Sequence, residues 1–115
     1  MILKEIAQIL RAKVLCGDHL DIDVHTACAS DLMSDVLAFV KDQSILISGL
    51  VNPQTIRTAE MMDMKCVVFV RGKKPTAEII DLAASLGIVV MASPLHMFCA
   101  CSRLYAAGLS GGCDD

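Results

Sequence analysis

Six cysteines, at positions 16, 28, 66, 99, 101 and 113, are the residues with the widest chemical reach, as metal, cluster or redox ligands. No C-x-x-C pair occurs among them, so the strong zinc and iron–sulfur spacings are absent. Cys99-Ala-Cys101 is a close pair, but residues two apart on a helix point about 200° away from each other and cannot hold one ion. Cys101 falls with Phe98, Leu104 and Tyr105 on an apolar helical face, and Cys99 on the flank near His96 and Arg103. Cys28 and Cys66 lie in strand-like stretches, where free cysteine behaves as a small buried hydrophobe. The pattern predicts reduced thiols, no metal and no cofactor, with Cys99 and Cys113 left as the candidates for redox chemistry.

Phosphate-loop chemistry is equally poorly supported. Gly72-Lys73 has the ending of a P-loop, but the glycine required five residues earlier is Val67. Gly49 stands alone where a dinucleotide fingerprint needs three glycines. The histidines His19, His25 and His96 are scattered, so no nucleophilic triad is expected. His19 reads as a solvated loop residue, His25 as a residue in or beside a strand, and His96 as part of the first turn of the last helix. What remains is a constellation: Ser30 and Asp31; Ser48, Gly49 and Asn52; Arg71, Gly72 and Lys73; Ser93 and His96. Free amides at helix N-termini attract anions, and Arg71 and Lys73 add positive charge, so these residues predict a site for a small anionic ligand such as a nucleotide.

The elements that must position them are read from one recurring pattern. In Ser44–Pro53 a short apolar run with Ile45 and Ile47 reads as a buried strand, Ser48-Gly49 ends it, and Asn52-Pro53 starts a helix. Cys66–Val70 leads in the same way into Lys74-Pro75, and Ile88–Ala92 into Ser93-Pro94. The pattern predicts strands over 44–48, 66–70 and 88–92, each followed by a helix: 53–63, 75–86 and 94–107. Upstream, Leu3, Ile6, Ala7 and Leu10 share one face of a helix over 3–10. Strands are expected at 13–16 and 24–29, separated by a polar loop, and a helix at 32–40 with Leu32, Val36, Leu37 and Val40 on one face. The result is a single three-layer α/β/α domain with a mostly parallel sheet of four to five strands over residues 1–108, followed by a flexible tail at 109–115. Helix N-termini then collect at the carboxyl edge of the sheet, where such folds bind ligands.

Composition agrees with this plan and narrows the function. The 115 residues are 55% hydrophobic, enough for one core buried on both sides of a sheet. Ten basic against 13 acidic residues give a net charge of −3, and Arg71-Gly-Lys-Lys74 is the one basic cluster in the sequence. Of the aromatics Phe39, Phe69, Phe98 and Tyr105, three read as core, so a nucleic-acid partner is not expected. No apolar run approaches the roughly 18 residues of a membrane span. Glu5 interrupts the N-terminus where a secretion signal would be apolar, so the expectation is a cytoplasmic protein with no membrane partner.

Taken together, the N-terminal helix, Val14-Leu-Cys-Gly-Asp18, the strand over 44–49 with its Ser-Gly turn, Arg71-Gly72 and the final Ser-Pro helix resemble the DRTGG domain, a family related to the N-terminal domain of HPr kinase/phosphorylase. The resemblance covers roughly residues 2–108 and is nearest to the small stand-alone members encoded beside iron-only hydrogenases and their maturation proteins. Gly17-Asp18 matches the family's Gly-Asp, and Ser48-Gly49 its Thr-Gly turn; Leu50 stands where a second glycine belongs, and His19 where an arginine follows. The resemblance implies a regulatory, often dimeric, ligand-sensing module that accompanies CBS domains or phosphotransacetylases and has no enzymatic activity. The reading is therefore a non-catalytic sensor of a small anion or nucleotide, acting as a homodimer or on a partner enzyme. The alternatives are a redox or iron–sulfur accessory protein associated with iron-only hydrogenase, and an interaction scaffold without a ligand.

Overall fold

The computed structural model describes residues 1–39 and 44–112, without the side chain of Phe39. The expected end of a helix at Val40, the proposed core role of Phe39 and the proposed redox role of Cys113 lie outside the described residues. Five strands, β1 (Lys13–Cys16), β2 (Ala27–Ala29), β3 (Ile45–Ser48), β4 (Cys66–Phe69) and β5 (Val89–Ala92), form one sheet in the order β1-β5-β4-β3-β2. Strands β2 to β5 are mutually parallel, and β1 closes the sheet antiparallel to β5 with Lys13 opposite Ala92.

Because β2 to β5 follow one another across the sheet, right-handed crossovers place all their connecting helices on one face. These are α2 (Met33–Phe39), α3 (Pro53–Met61) and α4 (Ala77–Ser85); α1 (Leu3–Ile9) and α5 (Met97–Ala106) cover the other. Alternate strand residues divide accordingly. Ile45, Ile47, Val68 and Met91 pack with Leu3, Ile6, Ala100 and Leu104, whereas Leu46, Val67, Phe69 and Val90 pack with Val36, Ile56, Ile79 and Ala83. The central strands β3 and β4 are buried along their whole length, which is why they read as unbroken apolar runs.

The helix starts differ from expectation at two of three prolines. Pro53 is the first residue of α3, and Asn52 Oδ1 accepts the Gln54 N–H at 2.8 Å. Pro75, however, precedes the cap: Thr76 Oγ1 accepts the Ile79 N–H at 3.4 Å, so α4 begins at Ala77. Before α5, the buried Ser93 hydroxyl accepts the Leu95 N–H at 3.2 Å, bending the chain around Pro94 so that the helix begins only after His96.

Other differences come from chain pairing and helical phase. Strand β2 is shorter than 24–29 because the Val24 N–H donates to the Met1 carbonyl at 2.7 Å, drawing that part towards the N-terminus. On α5 the core face is Ala100 and Leu104, leaving Phe98 at 84% and Tyr105 at 77% exposure instead of in the core. They stand about 200° and 100° around the helix from those anchors. Leu32 and Leu37 are likewise exposed, while Met33 and Val36 carry the buried face of α2. Leu109, expected in the tail, is buried, and the following Ser110 donates its N–H to the His25 carbonyl and accepts the Ala27 N–H, both at 3.0 Å.

Phe69 is the largest of the fully buried side chains. Phe69→Ala is expected to lower unfolding free energy by about 3–5 kcal/mol, read from urea denaturation midpoints at constant slope.

Candidate functional site

The carboxyl ends of β3, β4 and β5 are followed by loops that are tied to one another. Asp31, between β2 and α2, places Oδ1 against the Gly49 N–H at 2.7 Å and the Ser48 hydroxyl at 3.2 Å. From the far side Lys73 Nζ donates to the Gly49 carbonyl at 2.6 Å. The Gly49 residue is thus held at both its donor and its acceptor by side chains from two other loops. A methyl group on Gly49 would lie 3.4 Å from Asp31 Oδ1 and 3.6 Å from Lys73 Nζ, so the three groups crowd one small volume.

The loop after β4 is held in turn. Arg71 sits in left-handed backbone at φ 65° and donates its N–H to the Leu95 carbonyl at 2.7 Å, while the Gly72 N–H reaches the Ser93 carbonyl at 2.9 Å. Ser93 passes the connection on, its hydroxyl donating to the Leu10 carbonyl at 2.8 Å. All ten residues expected at this edge stand at or beside it, but in different roles. Ser48 and Ser93 are fully buried and their hydroxyls hold loops together. Ser30 accepts the Leu32 N–H at 3.0 Å and Asn52 caps α3. The exposed side chains among the ten are those of Asp31, Asn52, Arg71, Lys73 and His96; His96 occupies the N-cap of α5 with no side-chain cap bond. Asp31 places a carboxylate on the Gly49 amide, so that donor is already occupied.

The cysteines occupy other ground. Cys66 is buried and Cys99 is exposed. Burial pushes the Cys28 thiol up to about 11, with Cys101 nearby adding to the effect, and burial also raises Cys16, Cys66 and Cys101. Raised thiols are poor thiolate ligands. Among the described residues no group of three His, Cys, Asp or Glu side chains is placed to hold a metal ion.

Two sequence features take on meaning only in the fold. Gly17-Asp18 follows the antiparallel β1 and so lies at the opposite edge from Ser48-Gly49, lining a cleft of about 430 Å³ with His19 and Gly87. Gly108-Leu-Ser-Gly-Gly112 has the letters of a nucleophile elbow, G-x-S-x-G. It follows a helix end and not a strand, and the Ser110 hydroxyl accepts the Gly112 N–H at 3.0 Å.

Removing the Asp31 carboxylate leaves the Gly49 N–H and Ser48 hydroxyl without their acceptor. Asp31→Ala is expected to cost about 1–3 kcal/mol in denaturant unfolding, and Asp31→Asn less, since its amide oxygen still accepts. For Cys28 the folded thiol holds its proton up to about 11, above its ordinary 9.0. Below 9 both states are protonated and stability is unaffected. Between 9 and 11 the unfolded thiol ionises first, so stability falls with rising pH, with a limiting slope of about 1.4 kcal/mol per pH unit per thiol. Cys28→Ala should flatten the decline, measured by urea titrations across that window.

Comparison with known proteins bears on the whole chain. Among curated proteins nothing matches. A solved structure described as the CBS and DRTGG domains of the regulatory region of Clostridium perfringens pyrophosphatase, complexed with its activator diadenosine tetraphosphate, superposes with a TM-score of 0.77 at 21% identity. The match covers 96% of this chain and 48% of that one, so the present chain spans about half its length. The sequence profile of the DRTGG domain matches residues 5–107, nearly every element from α1 to α5. The chain belongs to the DRTGG domain family.

Proposed function

We propose that this chain is a non-catalytic regulatory module that binds a small anion of the nucleotide class at the carboxyl edge and transmits its presence to a second copy or to a partner enzyme. The observation that carries the reading is Arg71, an exposed arginine held in left-handed backbone and without an ionic partner among the described residues. Lys73 and the exposed His96 flank the same edge. A ligand phosphate that drew the Lys73 ammonium from the Gly49 carbonyl would loosen the tie between two loops, giving binding a conformational consequence. The pyrophosphatase regulatory region, solved with a nucleotide activator, supports a regulatory role for the shared fold.

Two rival readings remain distinct from this one. Exposed Phe98 and Tyr105, seven residues apart on α5, favour a protein-docking scaffold, and would serve equally a sensor that acts on its partner. An iron–sulfur or redox accessory role, beside the iron-only hydrogenase that the resemblance suggests, would need thiolates that burial disfavours at Cys16, Cys28, Cys66 and Cys101. No helix of the described residues is long and apolar enough to cross a membrane.

A ligand at a hundred times its dissociation constant stabilises the folded state by roughly 2.7 kcal/mol. The melting temperature is then expected to rise by over ~8 °C in a screen of nucleotides, phosphate esters and carboxylates. Arg71→Ala should remove most of that shift, because arginine supplies bidentate phosphate contact. No shift with any of these at millimolar concentration would place the scaffold reading ahead.

A further inference from the structure

We propose a polyphosphate-binding groove between β1 and the loop that enters α4, whose cations lie outside the constellation above, although Gly72 and Ser93 line it too. Arg11, Lys13 and Lys74 line a cavity of about 390 Å³, and Leu15, Pro75 and Ile80 contribute apolar surface to it. No acidic side chain lines the groove, and none of the three cations forms an ion pair among the described residues. In a chain of net charge −3, three unneutralised cations around one cavity form a local positive field that only an external anion offsets.

The backbone supplies an independent observation. Arg11 has φ 50° immediately after α1, where its N–H donates to the Gln8 carbonyl at 3.2 Å and the Ala12 N–H to the Ala7 carbonyl at 2.8 Å. Helices α4 and α5 close in the same way with Gly87 and Gly108, the residue type suited to that conformation, and α3 with Asp63 at φ 57°. Arg11 thus stands in backbone that glycine adopts more readily, at a groove it shares with two lysines.

The chemistry defines the ligand class. Three positive charges exceed what one phosphate monoester, carrying about −1.5 to −2, can neutralise. Two linked phosphates match them, and the apolar wall suits the base or ribose of a nucleoside diphosphate. The assignment rests on the reading of the chain as an anion-binding module, but on different cations.

The test uses the full chain with ADP, pyrophosphate, orthophosphate and adenosine as probes, by calorimetry and by amide chemical shifts of Lys13 and Lys74. ADP and pyrophosphate are expected to bind more tightly than orthophosphate or adenosine. Lys13→Glu/Lys74→Glu should weaken them by about tenfold or more. Arg11→Gly should melt at higher temperature yet bind more weakly, a combination that a purely structural role for Arg11 does not produce. Loss of binding in both Arg71→Ala and the groove variant would make the groove the polyphosphate arm of the edge site. Loss in the groove variant alone would support the groove and remove Arg71 from the ligand. Loss in Arg71→Ala alone, with the groove variants unchanged, would overturn the groove and leave the edge reading intact. Absence of ADP and pyrophosphate binding at millimolar concentration would overturn the groove, whatever other anions bind.

Discussion

The arrangement of the carboxyl edge depends on the double grip on Gly49. Its N–H lies on Asp31 and its carbonyl on the Lys73 ammonium, so a loop that would otherwise turn freely after β3 is fixed from both sides. Both bonds involve a charged partner, the stronger kind of hydrogen bond, and they join residues 18 and 24 positions apart in the chain. A methyl group at this position would lie in ordinary van der Waals contact with both Asp31 and Lys73. What an anion would meet here is not an empty ring of amides but an ammonium already engaged and a carboxylate already seated.

The strands and the layer plan are legible because β3, β4 and β5 are short, mostly apolar runs rich in Ile and Val, which a sheet covered on both faces can bury. The helix ends were less so. Proline was read as the first helical residue in all three repeats, yet Thr76 and Ser93 compete locally through hydroxyl bonds and delay two of the starts. The phase of α5 was misread because Phe98 and Tyr105 are the most apolar-looking residues of their segment, whereas small Ala100 is what fits against the sheet. The Asp31–Gly49–Lys73 contact has no local signal at all. It exists because parallel strands bring the loops after β2, β3 and β4 side by side, and spacing along the chain does not record which side chain points across.

The reversed edge strand has the largest consequence for charge. Were β1 parallel to its neighbour, Lys13 would lie at the amino edge, far from the loops. Antiparallel pairing places Lys13 opposite Ala92, the last residue of β5, and brings Arg11 and Lys13 beside Lys74. Reading Arg71-Gly-Lys-Lys74 as the one basic cluster was therefore correct for the sequence and incomplete for the surface. It also sends Gly17-Asp18 to the opposite edge, so the two short motifs that carry the family resemblance do not share a site.

These contacts form one line across the edge. Asp31 holds Gly49, Gly49 is tied to Lys73, Gly72 is bonded to Ser93, and the Ser93 hydroxyl reaches Leu10, next to Arg11. Spatial continuity is not in itself coupling, which requires an element with two arrangements that both ends bias. The loop from Arg71 to Lys74 lies between the two ends. It begins with two residues in left-handed backbone, Arg71 at φ 65° and Gly72 at φ 69°. Its side chains divide between the Gly49 carbonyl on one side, through Lys73, and the groove on the other, through Lys74. An anion bound to Lys74 in the groove would act on the same short segment that anchors Lys73. The energy available is that of one charged hydrogen bond, roughly 1.5–3 kcal/mol, enough to change a local equilibrium by a factor of about 10 to 150. That is the range in which a small domain can report a ligand without unfolding to do so.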